Sequence, residues 1–76
     1  MKWKFGKVLF GVDSETNTCK VYEVGDEVRI NYKWYGKEYD NRVILMDIYP
    51  TKMRVRVPEY GEIRIVSLGN LIDIMD

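Results

Sequence analysis

Val43-Ile44-Leu45-Met46-Asp47-Ile48-Tyr49-Pro50-Thr51-Lys52-Met53-Arg54-Val55-Arg56-Val57-Pro58-Glu59-Tyr60-Gly61-Glu62-Ile63-Arg64-Ile65-Val66 is the stretch that decides the fold. It contains three runs with period-two alternation, the spacing of strands with one buried face. Pro50-Thr51 separates the first two runs, and Glu59-Tyr60-Gly61 the second and third. Read as a three-residue link with Gly at the left-handed position, the second turn fits a tight hairpin. One register then aligns the apolar residues: Ile44, Met46 and Ile48 opposite Val57, Val55 and Met53, with Val57 and Val55 opposite Ile63 and Ile65. This register predicts a curved antiparallel sheet. It leaves Val43, Leu45 and Val66 on the outer face and sets Arg56 directly opposite Arg64, with Asp47 opposite Arg54.

Outward from this core the chain keeps reading as strand. Glu27 to Lys33 alternates with Val28, Ile30 and Tyr32 inward, and Gly25-Asp26 marks the turn before it. Residues 34–41 (WYGKEYDN) read as a loop of aromatics and charges, with the next strand spanning Arg42 to Tyr49. After the third run, Leu68-Gly69-Asn70 reads as a single tight turn and Leu71 to Ile74 as a closing strand. At the N-terminus, residues 2–12 read as one strand with Trp3, Phe5 and Leu9 on one side and Val8, Phe10 and Val12 on the other. A polar turn at residues 13–18 and a strand from Cys19 to Val24 complete an N-terminal hairpin.

The composition agrees with an all-β fold. The 76 residues contain no alanine, the strongest helix former, and are rich in Val, Ile and Tyr. A chain of this size forms one domain, with a stability margin of about 3–5 kcal/mol. The single Cys19 excludes an internal disulfide and any multi-cysteine metal site, and points to a reducing compartment; a cytoplasmic location is expected. Its thiol reads as a buried, inert side chain. No stretch approaches the ~20 apolar residues of a membrane span, so no membrane partner is expected.

There is no histidine, which removes the side chain most used for acid–base catalysis near neutral pH and a common zinc ligand. No phosphate-cradling glycine loop and no metal-ligand spacing is present. The sequence therefore argues against an enzyme, a metal site or a bound cofactor. Formal net charge is zero, but residues 29–66 carry eight Lys/Arg against five Asp/Glu.

Three groups of residues stand out as candidate contacts. Arg54, Arg56 and Arg64 form an outward cluster in the register above. Directly opposed arginines destabilise a sheet, which an anion held between their guanidinium forks would offset; local neutralisation by Asp47 and Glu62 is the alternative. Trp34, Tyr35 and Tyr39, flanked by Lys33, Lys37 and Arg42, suit base stacking with phosphate contact, or a protein-binding hot spot. The apolar N-terminal strand, with Trp3, Phe5, Leu9 and Phe10, either covers the outer barrel face carrying Val43, Leu45 and Val66 or forms a homodimer interface.

Val24-Gly25-Asp26-Glu27-Val28 opening the first strand, a long polar-aromatic loop, three meandering strands, and Ser67-Leu68-Gly69-Asn70-Leu71-Ile72-Asp73-Ile74 as one helical turn plus a closing strand together resemble the SH3-like barrel superfamily of SH3, Tudor and KOW domains. The resemblance implies an SH3-like small barrel of about five strands at residues 24–76, preceded by an N-terminal β-hairpin at residues 1–23. It departs from peptide-binding SH3 domains: the third strand opens on Lys52-Met53 rather than Trp, and Leu71 stands in place of the Tyr of the one-turn helix. Barrels of this kind are frequent in nucleic-acid-associated and in phage or mobile-element proteins. The expected function is a small non-enzymatic binding module. Its leading partner is nucleic acid, met by Lys33, Trp34, Tyr35, Lys37, Arg42, Arg54, Arg56 and Arg64. The alternative is a protein-interaction module, such as a phage or mobile-element accessory protein that binds a host protein.

Overall fold

A computed structural model describes residues 2–13, 16 and 18–75. Residues 14, 15 and 17 of the expected turn at residues 13–18 lie outside them. The chain is all-β, built from β1 (Lys2–Phe5), β2 (Leu9–Asp13), β3 (Thr18–Tyr22), β4 (Glu27–Trp34), β5 (Lys37–Ile48), β6 (Lys52–Val57), β7 (Glu62–Ser67) and β8 (Leu71–Ile74). A 3₁₀ turn at Leu68–Asn70 joins β7 to β8, where the sequence placed a tight turn. The strands form two antiparallel sheets: β1-β2-β3, and a five-stranded sheet ordered β7-β6-β5-β4-β8. Hydrogen bonding leaves β7 and β8 as edges and does not close the second sheet into a barrel. Among the described residues no helix is long and apolar enough to cross a membrane.

The N-terminal segment is a three-stranded meander and not a two-stranded hairpin. Residues 2–12 bend at Gly6-Lys7-Val8, so that Phe5 pairs with Leu9 and Trp3 with Gly11. The bend keeps Trp3, Phe5 and Leu9 on one face, where all three are buried in the same core as Val28, Ile30, Val43, Leu45, Val55 and Ile74. Gly11 is required here. A Cβ on it would come within 2.5 Å of the Trp3 ring that lies across it. Lys20 Nζ donates to the Ile74 carbonyl at 3.2 Å and ties this sheet to β8. Cys19 is exposed, not buried: it pairs with Val12 on the outer face of the meander.

The decisive stretch folds as three strands, but its register differs from the expected one at two points. Ile48 opposes Met53 and Asp47 opposes Arg54, as the alternation indicated. Met46 then forms a bulge, so that Leu45 opposes Val55 and Ile44 opposes Arg56. An extra residue of this kind bends the strand and reverses which side chains face inward beyond it. The Gly25 amide donates to the Leu45 carbonyl and the Leu45 amide to that of Asp26, holding the bent segment against the start of β4.

The second difference arises at Pro58. Proline has no N–H to extend the ladder, and here it belongs to the turn. The link is therefore residues 58–61, with Tyr60 N donating to the Val57 carbonyl and Gly61 at φ +64°. One more residue in the turn shifts the pairing by one: Val57 opposes Glu62, Arg56 opposes Ile63, Val55 opposes Arg64 and Arg54 opposes Ile65. A one-residue slip sends every side chain of a strand to the other face. Val43, Leu45 and Val66, expected outside, are fully buried, whereas Ile63 and Ile65, expected inside, stand about half exposed. The expected Arg56–Arg64 opposition does not exist.

Candidate functional site

The β4–β5 hairpin sets up the site. Its inward residues run Val28, Ile30, Tyr32, Trp34 on β4 and Tyr39, Asn41, Val43 on β5, with Tyr32 opposite Tyr39 and Trp34 opposite Lys37. Residues 34–41 are not a loop. Tyr35 and Gly36, with φ of +51° and +76°, form a two-residue turn whose hand matches the twist of the strands. Tyrosine is unusual at a left-handed position, so no Asn-Gly-like signal marks this turn. The inward face becomes aromatic and polar towards this end of the hairpin.

Arg64 enters that end from β7. It is only 5% exposed. Its Cζ lies 4.2 Å from the Trp34 ring centroid, 4.5 Å from Tyr39 and 4.9 Å from Tyr60. Nη1 donates to the Tyr32 hydroxyl at 3.0 Å, while Nε and Nη2 donate to Glu62 Oε2 at 3.2 and 3.0 Å. The Tyr32 hydroxyl in turn donates to Asn41 Oδ1 at 2.8 Å, and Asn41 Nδ2 to Glu59 Oε2 at 3.0 Å. A buried cation is tolerated only when paired and hydrogen-bonded, and these contacts, with three ring faces, meet that demand. Burial pulls the Arg64 pKa down, but the hydrogen bonds to Tyr32 and Glu62 more than offset this and hold it above its ordinary value. Burial pushes the Tyr32 phenol up, against the opposing pull of Arg64.

Next to this cluster, sharing Trp34 with it, is an open groove of about 490 Å³, lined by Trp34 and Tyr35 from the hairpin, Ile63 and Ile65 from β7, and Asn70 from the 3₁₀ turn. Tyr35 is 90% exposed, Ile63 55% and Ile65 54%. The Tyr35 and Trp34 rings meet edge to face at 4.7 Å. The Arg64 cluster thus fixes the Trp34 wall while the apolar side chains of the groove remain open to solvent.

The residues singled out in the sequence fall into separate places. Trp34 and Tyr35 line the groove, and Lys37, exposed and opposite Trp34, stands on the same face. Arg56 is exposed beside Ile63, and Arg54 is exposed beside Ile65 and ion-paired with Asp47. Lys33 is on the other face of β4, opposite Glu38. Arg42 lies on that same outward face opposite Arg29, which clasps Asp40 through two hydrogen bonds of 2.9 and 2.8 Å and holds that carboxyl below its usual pKa. Arg64 is inside. The N-terminal apolar residues Trp3, Phe5 and Leu9 are packed within the chain's own core.

Sequence reasoning missed Ile63, Ile65 and Asn70 in the groove, and Asn41, Glu59 and Tyr60 in the cluster next to it. The run Glu62-Ile63-Arg64-Ile65-Val66 supports either phase, because Ile65 and Val66 are adjacent and apolar. Only the length of the preceding turn decides between them. Among the described residues no group of three or more Cys, Asp or Glu is placed to hold a metal ion. No protein-family model, curated protein or solved structure matches the chain.

Proposed function

We propose that this chain is a small non-enzymatic binding module that receives a segment of another protein in the Trp34–Tyr35–Ile63–Ile65–Asn70 groove. The observation that carries this reading is the convergence of three exposed large apolar side chains, Tyr35, Ile63 and Ile65, on one groove at an edge strand. Contiguous exposed apolar surface marks interaction sites, and aromatic anchors held in a rigid setting dominate binding energy. The SH3-like architecture belongs to the same proposal; its support is the pairing of the last strand, β8, with the first strand of the five, β4.

A nucleic-acid ligand is the second reading, favoured by Tyr35 with the exposed cations Lys37 and Arg56 nearby. Against it, Arg64 is enclosed, Arg54 is paired with Asp47, and the Trp34 ring is already stacked by the Arg64 guanidinium. Few cations then remain to displace counterions from phosphates, the main source of such affinity.

The test is a selection on the immobilised chain with a displayed random-octapeptide library, run in parallel with single-stranded DNA and RNA pools. Enriched peptides should shift the backbone amides of residues 34–37, 63–65 and 70 in the labelled protein, with weak dependence on salt. Retention of polynucleotide alone, with steep loss of binding on adding salt, would overturn the reading in favour of nucleic acid.

A further inference from the structure

Resting on that reading, we infer that the groove takes an extended acidic segment, one whose side chains alternate between carboxylate and apolar, added as a strand along the unpaired edge of β7. β7 is the last strand of its sheet, with β6 on one side only. The groove is lined from β7, the β4–β5 hairpin and the 3₁₀ turn, with no residue from β6. Addition to such an edge supplies main-chain hydrogen bonds, and pockets for alternate side chains supply selectivity. Ile63 and Ile65 are two residues apart, the spacing at which an extended partner presents every second side chain to one face.

The charge of the occupant follows from which ions the chain has already used. Three carboxylates are engaged within the chain: Glu62 with Arg64, Glu59 with Asn41 and Asp47 with Arg54. Arg56 beside Ile63 and Lys37 opposite Trp34 are exposed and have no ion-pair partner among the described residues. The groove lining itself carries no charge. A groove that exposes Tyr35, Ile63 and Ile65, with uncompensated cations at its flanks, complements alternating apolar and acidic side chains.

A second copy of the chain fits poorly. It would bring the same exposed cations, Arg56 and Lys37, together. A nucleic acid fits poorly as well, because Ile63 and Ile65 offer branched aliphatic surface in place of ring faces for stacking.

The octapeptide selection, read by sequencing, decides the matter. The enriched peptides should alternate Asp or Glu with Val, Ile or aromatic residues. A synthetic copy of the most enriched one should shift the amides of residues 62–67 and bind about tenfold or more weakly to the Ile65→Lys variant. The Arg56→Glu/Lys37→Glu double variant, checked for an intact dispersed amide spectrum, should select basic–apolar alternation instead. Peptides that shift the groove without acidic bias, or a double variant that selects the same sequences, would overturn this inference and leave the protein-binding reading standing. Absence of any groove-binding peptide would overturn both.

Discussion

The two ends of the β4–β5 hairpin share one inward face but are filled by different chemistry. At the end near Val28 and Val43 the interior is entirely apolar, with Ile30, Leu45, Val55 and Ile74 fully buried around them. At the end near Trp34 and Lys37 the same face carries a phenol, an amide and a guanidinium in one hydrogen-bonded chain. The apolar end gains free energy from burial of area and places few demands on direction. The polar end requires each partner in position, because an unpaired buried polar group is costly. The directional end is also the end that carries the groove, so the Arg64 network holds the shape of the site while the apolar end supplies stability.

The comparison is sharpest under truncation. Leu45→Ala should cost about 2–5 kcal/mol, most or all of the margin of so small a domain, and show as loss of the cooperative urea transition. Arg64→Ala should cost about 2–4 kcal/mol, since it removes the donor to the Tyr32 oxygen and empties a space between three rings. Glu62, being largely exposed, can turn to water, which keeps the value below that for a fully enclosed pair. If Arg64→Ala were as mild as a surface change, the division into two ends would fail.

Tyr32→Phe sharpens the comparison further by removing one oxygen without leaving a cavity, at about 1–3 kcal/mol for the unpaired Arg64 and Asn41 groups. It should also change the alkaline limb of stability. The folded chain holds the Tyr32 proton more tightly than the unfolded chain does. This contribution is therefore complete below the ordinary phenol pKa of about 10 and is lost as pH rises through the higher folded value. Urea midpoints of the unaltered chain should fall above that pH, and more steeply than those of Tyr32→Phe.

The smallest expected effect separates the two registers. With Ile63 opposite Arg56, Arg56→Glu should change stability by less than about 0.5 kcal/mol. A clear gain would mean that residue 56 faces Arg64 after all.

Strand positions were largely legible because alternation marks where a strand runs. Glu27 to Lys33, Glu62 to Ser67 and Leu71 to Ile74 stand where the sequence put them. Alternation does not mark phase, and phase decides the site. One residue at Pro58 and one at Met46 exchange the faces of Ile63, Ile65, Val43 and Leu45, and local propensity is nearly silent about both. The aromatic end was recognisable as special from Trp34, Tyr35 and Tyr39, but not as a hairpin, because Tyr35 adopts a backbone conformation that tyrosine seldom takes. That Arg64 is enclosed could be read only from its contacts with Tyr32, Trp34 and Tyr39, which are distant in sequence.

The most direct measurement is the Arg64 side-chain Nε–H resonance in a labelled sample, assigned by its loss in an Arg64→Lys variant. Enclosed by Trp34, Tyr39 and Tyr60 and donating to Glu62, it should exchange slowly with water and be displaced by ring currents from the exposed-arginine position, with NOEs to the Trp34 and Tyr39 rings. An Arg64 Nε–H at the ordinary exposed position, exchanging as fast as that of Arg56 and without those NOEs, would contradict the register and the groove built on it.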